Sequence, residues 1–451
     1  MKELMLICAP VSSRSGYGAH ARDLVSSFIE HDKYDIKIHD VRWGNCPRNA
    51  LNPKNPNDKK ILDCILTEQS LNKQPEIYVD IRIPNEFETH GSRLNIGITA
   101  GIETNAVSQP WIDACNKMDL VIVPSEHAKG GFVNSIYDKF QNMPDGSQQK
   151  VGEYKLEKPM EVLFEGADEN IYKPIENASL NYVDDIKEDF NYLMVGQWGK
   201  GGYGEDRKDI GRTIKIFLEA FANKENQPGL ILKTQGATFS IIDREDILGK
   251  IKEIKNQFPL DWKLPNIYVL HGDLTDEEMN YLYNHPKVKC MVSLTHGEGF
   301  GRPLLEASMT GLPIMVSNWS GHLDFLDGEK TILIPGSTNV VPKSAVWENI
   351  IIPESSWFTI DEGKAYQAYN YSFANIEQGK EKAESLMKDN RNKFTLKNMV
   401  TELDNIMKKH SEKVPKQVSL NLPKLKKVGD EKQQSLKLPK LKKVTGEGVT
   451  V

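Results

Sequence analysis

The stretch LTHGEGFGRPLLEASMTGLPIMVS, residues 294–317, joins a strand pattern to a helix pattern through a glycine-rich loop. The residues KCMVSL just before the loop predict a buried strand, and RPLLEASMTGLP predicts a helix with Pro303 at its first position and Gly311 as its end. Two glutamates, Glu298 in the loop and Glu306 near the first helical turn, are eight residues apart. Both carboxylates can therefore reach one ligand from different directions.

The loop between these two elements combines bare backbone with acidic side chains. Gly299 and Gly301, on either side of Phe300, allow backbone N–H groups to approach a ligand closely, and the start of a helix carries a partial positive charge suited to phosphate. A carboxylate can accept hydrogen bonds from the neighbouring hydroxyls of a ribose or a hexose. The pattern therefore predicts a nucleotide-sugar site, although glycine-rich strand-to-helix loops occur in many phosphate-binding proteins.

The rest of the chain repeats this alternation of strand and helix patterns. Short apolar runs, each followed by a loop and a helical pattern, are typical of strands buried on both faces of a parallel sheet. The runs are LMLICAP, IYVDIRI, LNIGITA and LVIVPS in the first half and NYLMVG, GLILKT, IYVLHG and VKCMVSL in the second. The sequence thus predicts an α/β fold with two doubly wound sheets, which bind ligands beyond the carboxyl ends of their strands.

A chain of 451 residues is long enough for two or three domains. The segment 162–190 is rich in turn formers and charge, so we place the domain boundary there. The predicted organisation is an N-terminal Rossmann-like domain over residues 1–185, a C-terminal Rossmann-like domain over 186–390, a C-terminal helix over 391–410 and a lysine-rich tail over 411–451.

The tail differs in composition from the rest of the chain. SLNLPKLKKV, residues 419–428, returns as SLKLPKLKKV, residues 435–444. From Ser411 onward there are ten lysines and four acidic residues, a net charge of +6, which leaves −12 for the remainder of the chain. This composition predicts a disordered basic tail with two copies of one element that docks on a protein or on a polyanion such as nucleic acid.

Composition also excludes several classes of protein. The hydrophobic content of 39% can fill packed cores, and the net charge of −6 is unlike that of a chain that binds polyanions over its whole surface. Five scattered cysteines without CxxC spacing indicate neither a disulfide framework nor a zinc site. No apolar run approaches a membrane span, and the one at the start is shorter than a signal sequence, so we expect a soluble, cytoplasmic protein.

The segment EGFGRPLLE resembles the E-x7-E motif of the retaining GT-B glycosyltransferases, and GLPIMVSNWSG, residues 311–321, continues the match. The resemblance implies two Rossmann-like domains that face a central cleft. It also implies that Glu298 contacts hydroxyls of the donor sugar, that Glu306 binds the nucleotide ribose, and that Gly299, Phe300 and Gly301 contribute to donor binding.

Two further segments resemble the same family. VGQWGKGGYGEDRKDIGRTIKIFLEAF, residues 195–221, is similar to its strand, loop and RK helix start, which implies that Arg207 and Lys208 neutralise the donor diphosphate; Gln197 stands where the family often has an arginine. Lys233, near the end of the buried strand run GLILKT, is expected at the same site. The segment PVSSRSGYGAHARDLVSSF resembles the N-terminal glycine loop that opens toward the donor phosphates, with Gly16 and Gly18 as its close-approach residues.

The resemblance also implies a mechanism and an acceptor side. In a retaining enzyme of this fold the leaving diphosphate is stabilised and helps to deprotonate the acceptor, so cations matter more than a general base. No DxD pair stands at a strand end, and we expect no obligatory metal. Two groups that follow strands of the first domain are candidates near the acceptor, Glu103 first and His127 second.

Several functions stay open on the sequence. The expected reaction moves a hexose or pentose from a donor linked to UDP or GDP to a glycan, a protein or a hydroxymethylated base in DNA, where the basic tail would act as a tether. A non-catalytic scaffold that binds nucleotide sugars and docks through its tail repeats belongs to a different class. A third possibility is an enzyme that uses both glutamates as acid and base on glycosides or as an epimerase.

Overall fold

The computed structural model describes residues 2–67, 71–144, 146–199, 203–236 and 238–414. The predicted tail, including both repeats, lies outside the described residues from residue 415 onward, and so do residues 200–202 of the glycine-rich loop. The described residues form one compact unit that contains two six-stranded parallel sheets. We call residues 2–162 the N-lobe and residues 191–393 the C-lobe.

The N-lobe is built on a parallel sheet with helices between its strands. Its strands are β1 (Glu3–Ala9), β2 (Tyr34–Asp40), β3 (Ile77–Ile81), β4 (Leu94–Ile98), β5 (Leu120–Val123) and β8 (Met160–Val162), in the spatial order β2-β1-β3-β4-β5-β8. Its helices are α1 (Gly16–His31), α2 (Pro56–Cys64), α3 (Gln109–Cys115) and α4 (Glu126–Asn134), and an exposed hairpin pairs β6 (Tyr137–Asn142) with β7 (Gln148–Tyr154).

The C-lobe repeats this arrangement. Its sheet contains β9 (Asn191–Gln197), β10 (Gly229–Gln235), β11 (Ile267–Leu270), β12 (Val288–Ser293), β13 (Ile314–Ser317) and β14 (Ile332–Ile334), in the order β11-β10-β9-β12-β13-β14. The helices are α5 (Asn181–Asp184), in the connection from the N-lobe, and α6 (Ile210–Phe221), α7 (Ile241–Lys255), α8 (Asp276–Asn284), α9 (Arg302–Ser308), α10 (Glu362–Ala374) and α11 (Ile376–Lys393). An antiparallel pair, β15 (Gly336–Val340) and β16 (Ser356–Ile360), follows the sheet.

All eight predicted apolar runs are strands of the two sheets, which confirms the predicted α/β class. Strands β3, β4 and β5 are buried along their whole length because helices cover both faces of the sheet. The sequence analysis missed β2, whose residues YDIKIHD alternate between buried and exposed positions. This strand lies at the edge of the sheet, where burial is incomplete and the apolar run is interrupted.

The chain crosses between the lobes twice, at neighbouring places. Ala167, in the connection after β8, exchanges backbone hydrogen bonds with Phe394 and Leu396, which lie between α11 and the last helix, α12 (Leu396–Ser411). Helix α12 then returns to the N-lobe, where Met399 and Leu403 are buried in the same cluster as residues of α1 and the sheet. The N-lobe core is therefore completed by the C-terminal end of the described chain.

Among the helices of the described residues, we find none with the length and apolar character that crossing a lipid bilayer requires.

Candidate functional site

The carboxyl ends of the two sheets meet at one place. Ser125, just after β5 of the N-lobe, donates a hydrogen bond from Oγ to the carbonyl oxygen of Gly299, just after β12 of the C-lobe. A Cβ at Gly299 would lie only 2.0 Å from the carbonyl oxygen of Ala100, which follows β4. The two lobes thus approach each other closely enough that only glycine fits at position 299.

Glu298 lies at this meeting point and is only 5% exposed. Lys208 donates a hydrogen bond to its Oε1, and Nη1 of Arg207 lies 3.7 Å from its Oε2. The same Nη1 lies 2.8 Å from Oε1 of Glu103 in the N-lobe. The structure therefore brings four of the predicted residues together in one network of two cations and two carboxylates.

Burial and charge set the protonation of this network. Burial alone raises the pKa of Glu298, but the nearby Lys208 ammonium and Arg207 guanidinium outweigh it and bring the pKa below its usual value. Burial lowers the pKa of Lys208, and Glu298 opposes that shift. Glu298 is consequently a carboxylate at neutral pH, ready to accept hydrogen bonds.

Glu306, on α9, is buried in a different environment. Its Oε1 accepts a hydrogen bond of 2.9 Å from Nε of Arg302, and its Oε2 accepts one of 3.3 Å from the hydroxyl of Tyr283. Burial raises the pKa of Glu306 to about 7, despite the opposing guanidinium. Arg302 also pairs with Asp23 on α1, so this side chain links the predicted ribose carboxylate to the N-lobe.

A third buried carboxyl group, Glu165, was missed by the sequence analysis. It is 7% exposed, and burial raises its pKa to about 7, against the influence of Arg302. Asp23 and Glu298 lie near enough to raise that pKa further. Glu165 belongs to the connection between the lobes, where the local sequence FEGADEN has no spacing that distinguishes a site residue from a turn residue.

Two glycines of the predicted loop are explained by their surroundings. Gly301 caps α9 with a φ of +98°, in the left-handed region that favours glycine. Gly297, which was not singled out from the sequence, faces the N-lobe backbone, since a Cβ there would lie 2.2 Å from the carbonyl oxygen of Glu103. Gly297 therefore allows the backbone of this loop to contact the backbone of the N-lobe.

Phe300 and α9 differ in detail from the predicted donor site. The Phe300 side chain is 3% exposed and packs on Phe325 at a ring distance of 4.9 Å, so only its backbone is placed to meet a ligand. Helix α9 has seven residues, which is two turns, and Pro303 lies at its start as predicted. So short a helix gives a weaker partial charge than the two full cations next to Glu298.

The N-terminal glycine loop opens α1 as the sequence predicts. Ser15 caps the helix by accepting a hydrogen bond of 3.0 Å from the backbone N–H of Gly18. Gly16 is exposed with open space around its Cα, whereas a Cβ at Gly18 would lie 2.3 Å from the carbonyl oxygen of Ser13. Gly18 is thus required by the turn itself, and Gly16 is the position open to a ligand.

His127 lies beside the site in a neutral state. Burial lowers its pKa to about 4, and its Nε2 is buried without a hydrogen-bond partner among the described residues. Its ring meets Trp319 edge-on at 5.2 Å, and the Trp319 indole N–H is also unpaired in the described structure. Nδ1 of the fully buried His322 also has no hydrogen-bond partner among the described residues. Of these residues, His322 lies near enough to Glu298 for its charge to influence the pKa of that carboxyl group.

Lys233 is separated from the other cations of the predicted donor site. It lies at the carboxyl end of β10, with β9 between it and the strand that leads to Glu298. Its Nζ donates a hydrogen bond of 2.7 Å to the carbonyl oxygen of Gly272, and burial lowers its pKa. Asp273 next to it pairs with Arg14 of the N-terminal glycine loop at 3.0 Å. Lys233 therefore faces the N-lobe at a second position along the sheet edge.

Comparisons with known proteins find similarity in structure alone. No protein-family model matches the sequence, and no curated protein matches it. Sucrose-phosphate synthase of Thermosynechococcus elongatus is similar in structure with a TM-score of 0.58 and 11% identity, covering 91% of this chain and 100% of its own. HepE of Anabaena, solved with UDP and glucose, has a TM-score of 0.57 and 12% identity over 90% of this chain and 100% of its own.

A glycosyltransferase of Rickettsia africae gives the same result, with a TM-score of 0.56 and 12% identity over 91% of this chain and 99% of its own. Identities this low establish fold and leave activity open. The agreement extends over nine tenths of the chain and includes both sheets. The chain therefore has the GT-B fold, with two Rossmann-like lobes that face each other across a cleft.

Proposed function

We propose that this protein is a retaining glycosyltransferase that moves a hexose or pentose from a nucleoside-diphosphate sugar, linked to UDP or GDP, to an acceptor hydroxyl. The observation that carries the proposal is the buried, ionised Glu298 held between Lys208 and Arg207 where the two lobes meet. A nucleotide-sugar donor carries sugar hydroxyls at one end and a diphosphate next to them. The Glu298 carboxylate suits the hydroxyls, and the two neighbouring cations suit the diphosphate. The E-x7-E spacing supports the retaining class.

The two glutamates divide the donor between them in this proposal. Glu298 accepts hydrogen bonds from hydroxyls of the transferred sugar, since its pKa keeps it ionised. Glu306 accepts hydrogen bonds from the ribose, and Arg302 and Tyr283 fix the orientation of its carboxyl group. The crystal structures of HepE with UDP and with UDP-glucose support a donor of this chemical class on the same fold.

The leaving diphosphate is stabilised by charge already in place. Arg207 and Lys208 lie where negative charge grows as the bond from the sugar to the diphosphate breaks, and in a desolvated site such cations stabilise the transition state strongly. In this proposal Gly16, at the start of the sixteen-residue α1, and Lys233 contribute to diphosphate binding, and Lys233 would have to exchange its hydrogen bond to Gly272 for one to the ligand. With these cations, transfer proceeds without an obligatory metal.

The acceptor approaches from the N-lobe side. Glu103 lies within 2.8 Å of Arg207, so it is placed to orient the acceptor hydroxyl next to the leaving diphosphate. His127, neutral at physiological pH, is the second polar group on that side.

The decisive experiment follows the release of nucleoside diphosphate from UDP-, GDP-, ADP- and TDP-sugars in the presence of candidate acceptors, including glycans and hydroxymethylated DNA. We expect one donor to be turned over with retention at the anomeric carbon, seen by NMR, at a rate that EDTA does not change. Glu298→Gln should lose most of this rate. A scaffold would bind donor without release, and a glycosidase would cleave simple glycosides instead; either result contradicts the proposal.

A further inference from the structure

Residues 341–355 form a compact excursion between β15 and β16, which we call the arm. The arm has a small core of its own, in which Val341 and Ile351 pack with Trp357 at its base. The backbone N–H groups of Ile351 and Trp347 each donate a hydrogen bond to the carbonyl oxygen of the other, at 2.8 and 3.0 Å. It is therefore a folded element of the C-lobe.

The arm and its base contact the N-lobe. Ser356, where β16 begins, accepts a hydrogen bond of 3.0 Å from the backbone N–H of Asn105 and donates one of 2.7 Å to the Asn105 side chain. Ser108 Oγ donates a hydrogen bond of 2.9 Å to the carbonyl oxygen of Asn349. Ile350 packs against the N-lobe cluster that contains Trp111. The contact thus combines three hydrogen bonds with an apolar anchor.

The base of the arm is bound to the loop between β12 and α9, which carries Glu298. Phe358 exchanges hydrogen bonds with His296, one of 3.0 Å from its N–H to the His296 carbonyl and one of 2.6 Å between its carbonyl and Nδ1 of the ring. The His296 ring stacks on Trp357 at 4.2 Å with an interplanar angle of 5°. His296 is only two residues from Glu298, so two hydrogen bonds and a ring stack connect the base of the arm to the loop that carries Glu298.

These contacts close into a ring that includes Glu103. The backbone N–H of His296 donates a hydrogen bond of 3.0 Å to the carbonyl oxygen of Arg207. Arg207 pairs with Glu103, and Glu103 is two residues from Asn105, which is bound to Ser356. Residues 99–108, all of them described, form neither helix nor strand, so contacts with other segments hold Glu103 in place.

We propose that the arm is a positioning element, which acts through Asn105 and Ser108 to hold Glu103 against Arg207 on the acceptor side of the cleft. This inference rests on the proposed function for the role of Glu103. Arg207 and Lys208 keep Glu298 as a partner when the arm is altered, so we expect the arm to affect the transfer step more than donor binding. A displacement of about 1 Å at a reacting group costs up to about a hundredfold in rate.

The test is a double-mutant cycle on the wild-type background. The variant Asn105→Ala with Ser108→Ala should reduce turnover by about tenfold or more and leave donor Kd, from calorimetry, within about twofold. Adding Glu103→Ala should cause no loss beyond that of Glu103→Ala alone, since both changes act on one group. Asn105→Asp keeps an oxygen that accepts the hydrogen bond from the Ser356 N–H, so this variant should turn over faster than Asn105→Ala. Asn339→Ala, on β15 of the same hairpin, is the matched control, because the Asn339 side-chain amide donates its hydrogen bonds to Ser337 in the described structure.

Hydrogen exchange gives a readout that needs no substrate. In the double variant, peptides covering residues 99–108 should exchange faster than in wild type, while peptides from β9 stay unchanged. Unchanged exchange in 99–108, additive rate losses with Glu103→Ala, or a donor Kd that weakens as much as turnover would each overturn the inference. If wild-type protein turns over no donor, the proposed function fails, and exchange still decides whether the arm holds this segment.

Discussion

Glu298 and Glu306 are eight residues apart and both are buried, yet their surroundings move their pKa values in opposite directions. Two cations lie beside Glu298 and lower its pKa, whereas Glu306 has one guanidinium and one phenol, and burial raises its pKa to about 7. The two side chains are chemically identical, but the residues that contact them are different. Lys208 and Arg207 come from another loop of the same lobe, whereas Arg302 is shared with Asp23 of the N-lobe.

This difference in pKa suggests that Glu298 and Glu306 have different roles. In the proposed function, Glu298 stays ionised and would accept hydrogen bonds from sugar hydroxyls throughout the physiological pH range. In the proposed function, a Glu306 carboxyl group with a pKa near 7 would make ribose binding sensitive to pH and to the position of the N-lobe, because Asp23 competes for the same Arg302 guanidinium.

Removing the cation next to Glu298 should have the largest effect. Lys208→Met leaves Glu298 buried with only the more distant Arg207, so its pKa should rise and kcat should fall by about a hundredfold to a thousandfold. Nucleotide release at pH 7.5 measures this loss. Lys215→Met, which removes a cation from a half-exposed pair with Glu219, is the control. Equal rates for the two variants would contradict the role of Lys208.

Removing the guanidinium next to Glu306 should have a smaller effect, on binding. Arg302→Leu should raise the pKa of Glu306 further, leave it protonated at neutral pH and weaken nucleotide binding by about tenfold to a hundredfold. Calorimetry with the free nucleoside diphosphate at pH 7.5 measures the change. Arg244→Leu, which breaks only a surface pair with Glu245, should leave the affinity unchanged. An unaltered Kd in Arg302→Leu would remove Glu306 from the ribose site.

In the wild-type protein, the different pKa values of the two glutamates should appear as a pH dependence of nucleotide binding. Nucleotide affinity should rise from pH 6 to pH 8 with a midpoint near 7, because the Glu306 carboxylate accepts two hydroxyl donors and its protonated form accepts fewer. Below the midpoint the expected change is at most tenfold per pH unit. In Glu306→Gln this dependence should disappear. A steep pH dependence that persists in that variant would assign the titration to another group, for which Glu165, also with a pKa of about 7 and also influenced by Arg302, is a candidate.

The smallest effect concerns stability. The pKa of Glu306 in the folded state, about 7, lies above its usual value of 4.5, so its contribution is complete below pH 4.5 and is lost as pH rises through 7. One such group changes stability by at most about 1.4 kcal/mol per pH unit. Glu165 and Asp209, also near 7, add to the same slope. Glu306→Gln should therefore flatten the decline of Tm between pH 5 and 7, and an unchanged slope would refute the raised pKa.

Much of the fold followed from local sequence. The apolar runs predicted the inner strands, and the positions of Pro303 and Gly311 predicted α9, because buried parallel strands and helix ends leave local signals. The resemblance to a known family implied that Arg207 and Lys208 lie at the same site as Glu298, and the structure brings the three side chains together.

The rest depends on contacts between residues far apart in sequence. The pairing of Arg302 with Asp23 and of Asn105 with Ser356 joins segments separated by more than 200 residues, and neither pair leaves a spacing that a single sequence can reveal. For Phe300, a local signal pointed to the wrong environment. Its place in the glycine loop predicted a ligand contact, but its side chain packs in the core. Local pattern identified the residue types of the site and left their partners open.

The most direct test of the central claim is calorimetry of one nucleotide sugar and its free nucleoside diphosphate on wild type, Glu298→Gln and Glu306→Gln at pH 7.5. We predict that Glu298→Gln removes the affinity that the sugar adds and leaves the diphosphate bound as before, whereas Glu306→Gln weakens both ligands by the same factor. Equal losses in the two variants, or no binding of any nucleotide sugar to the wild-type protein, would contradict the division of the donor between these two carboxyl groups.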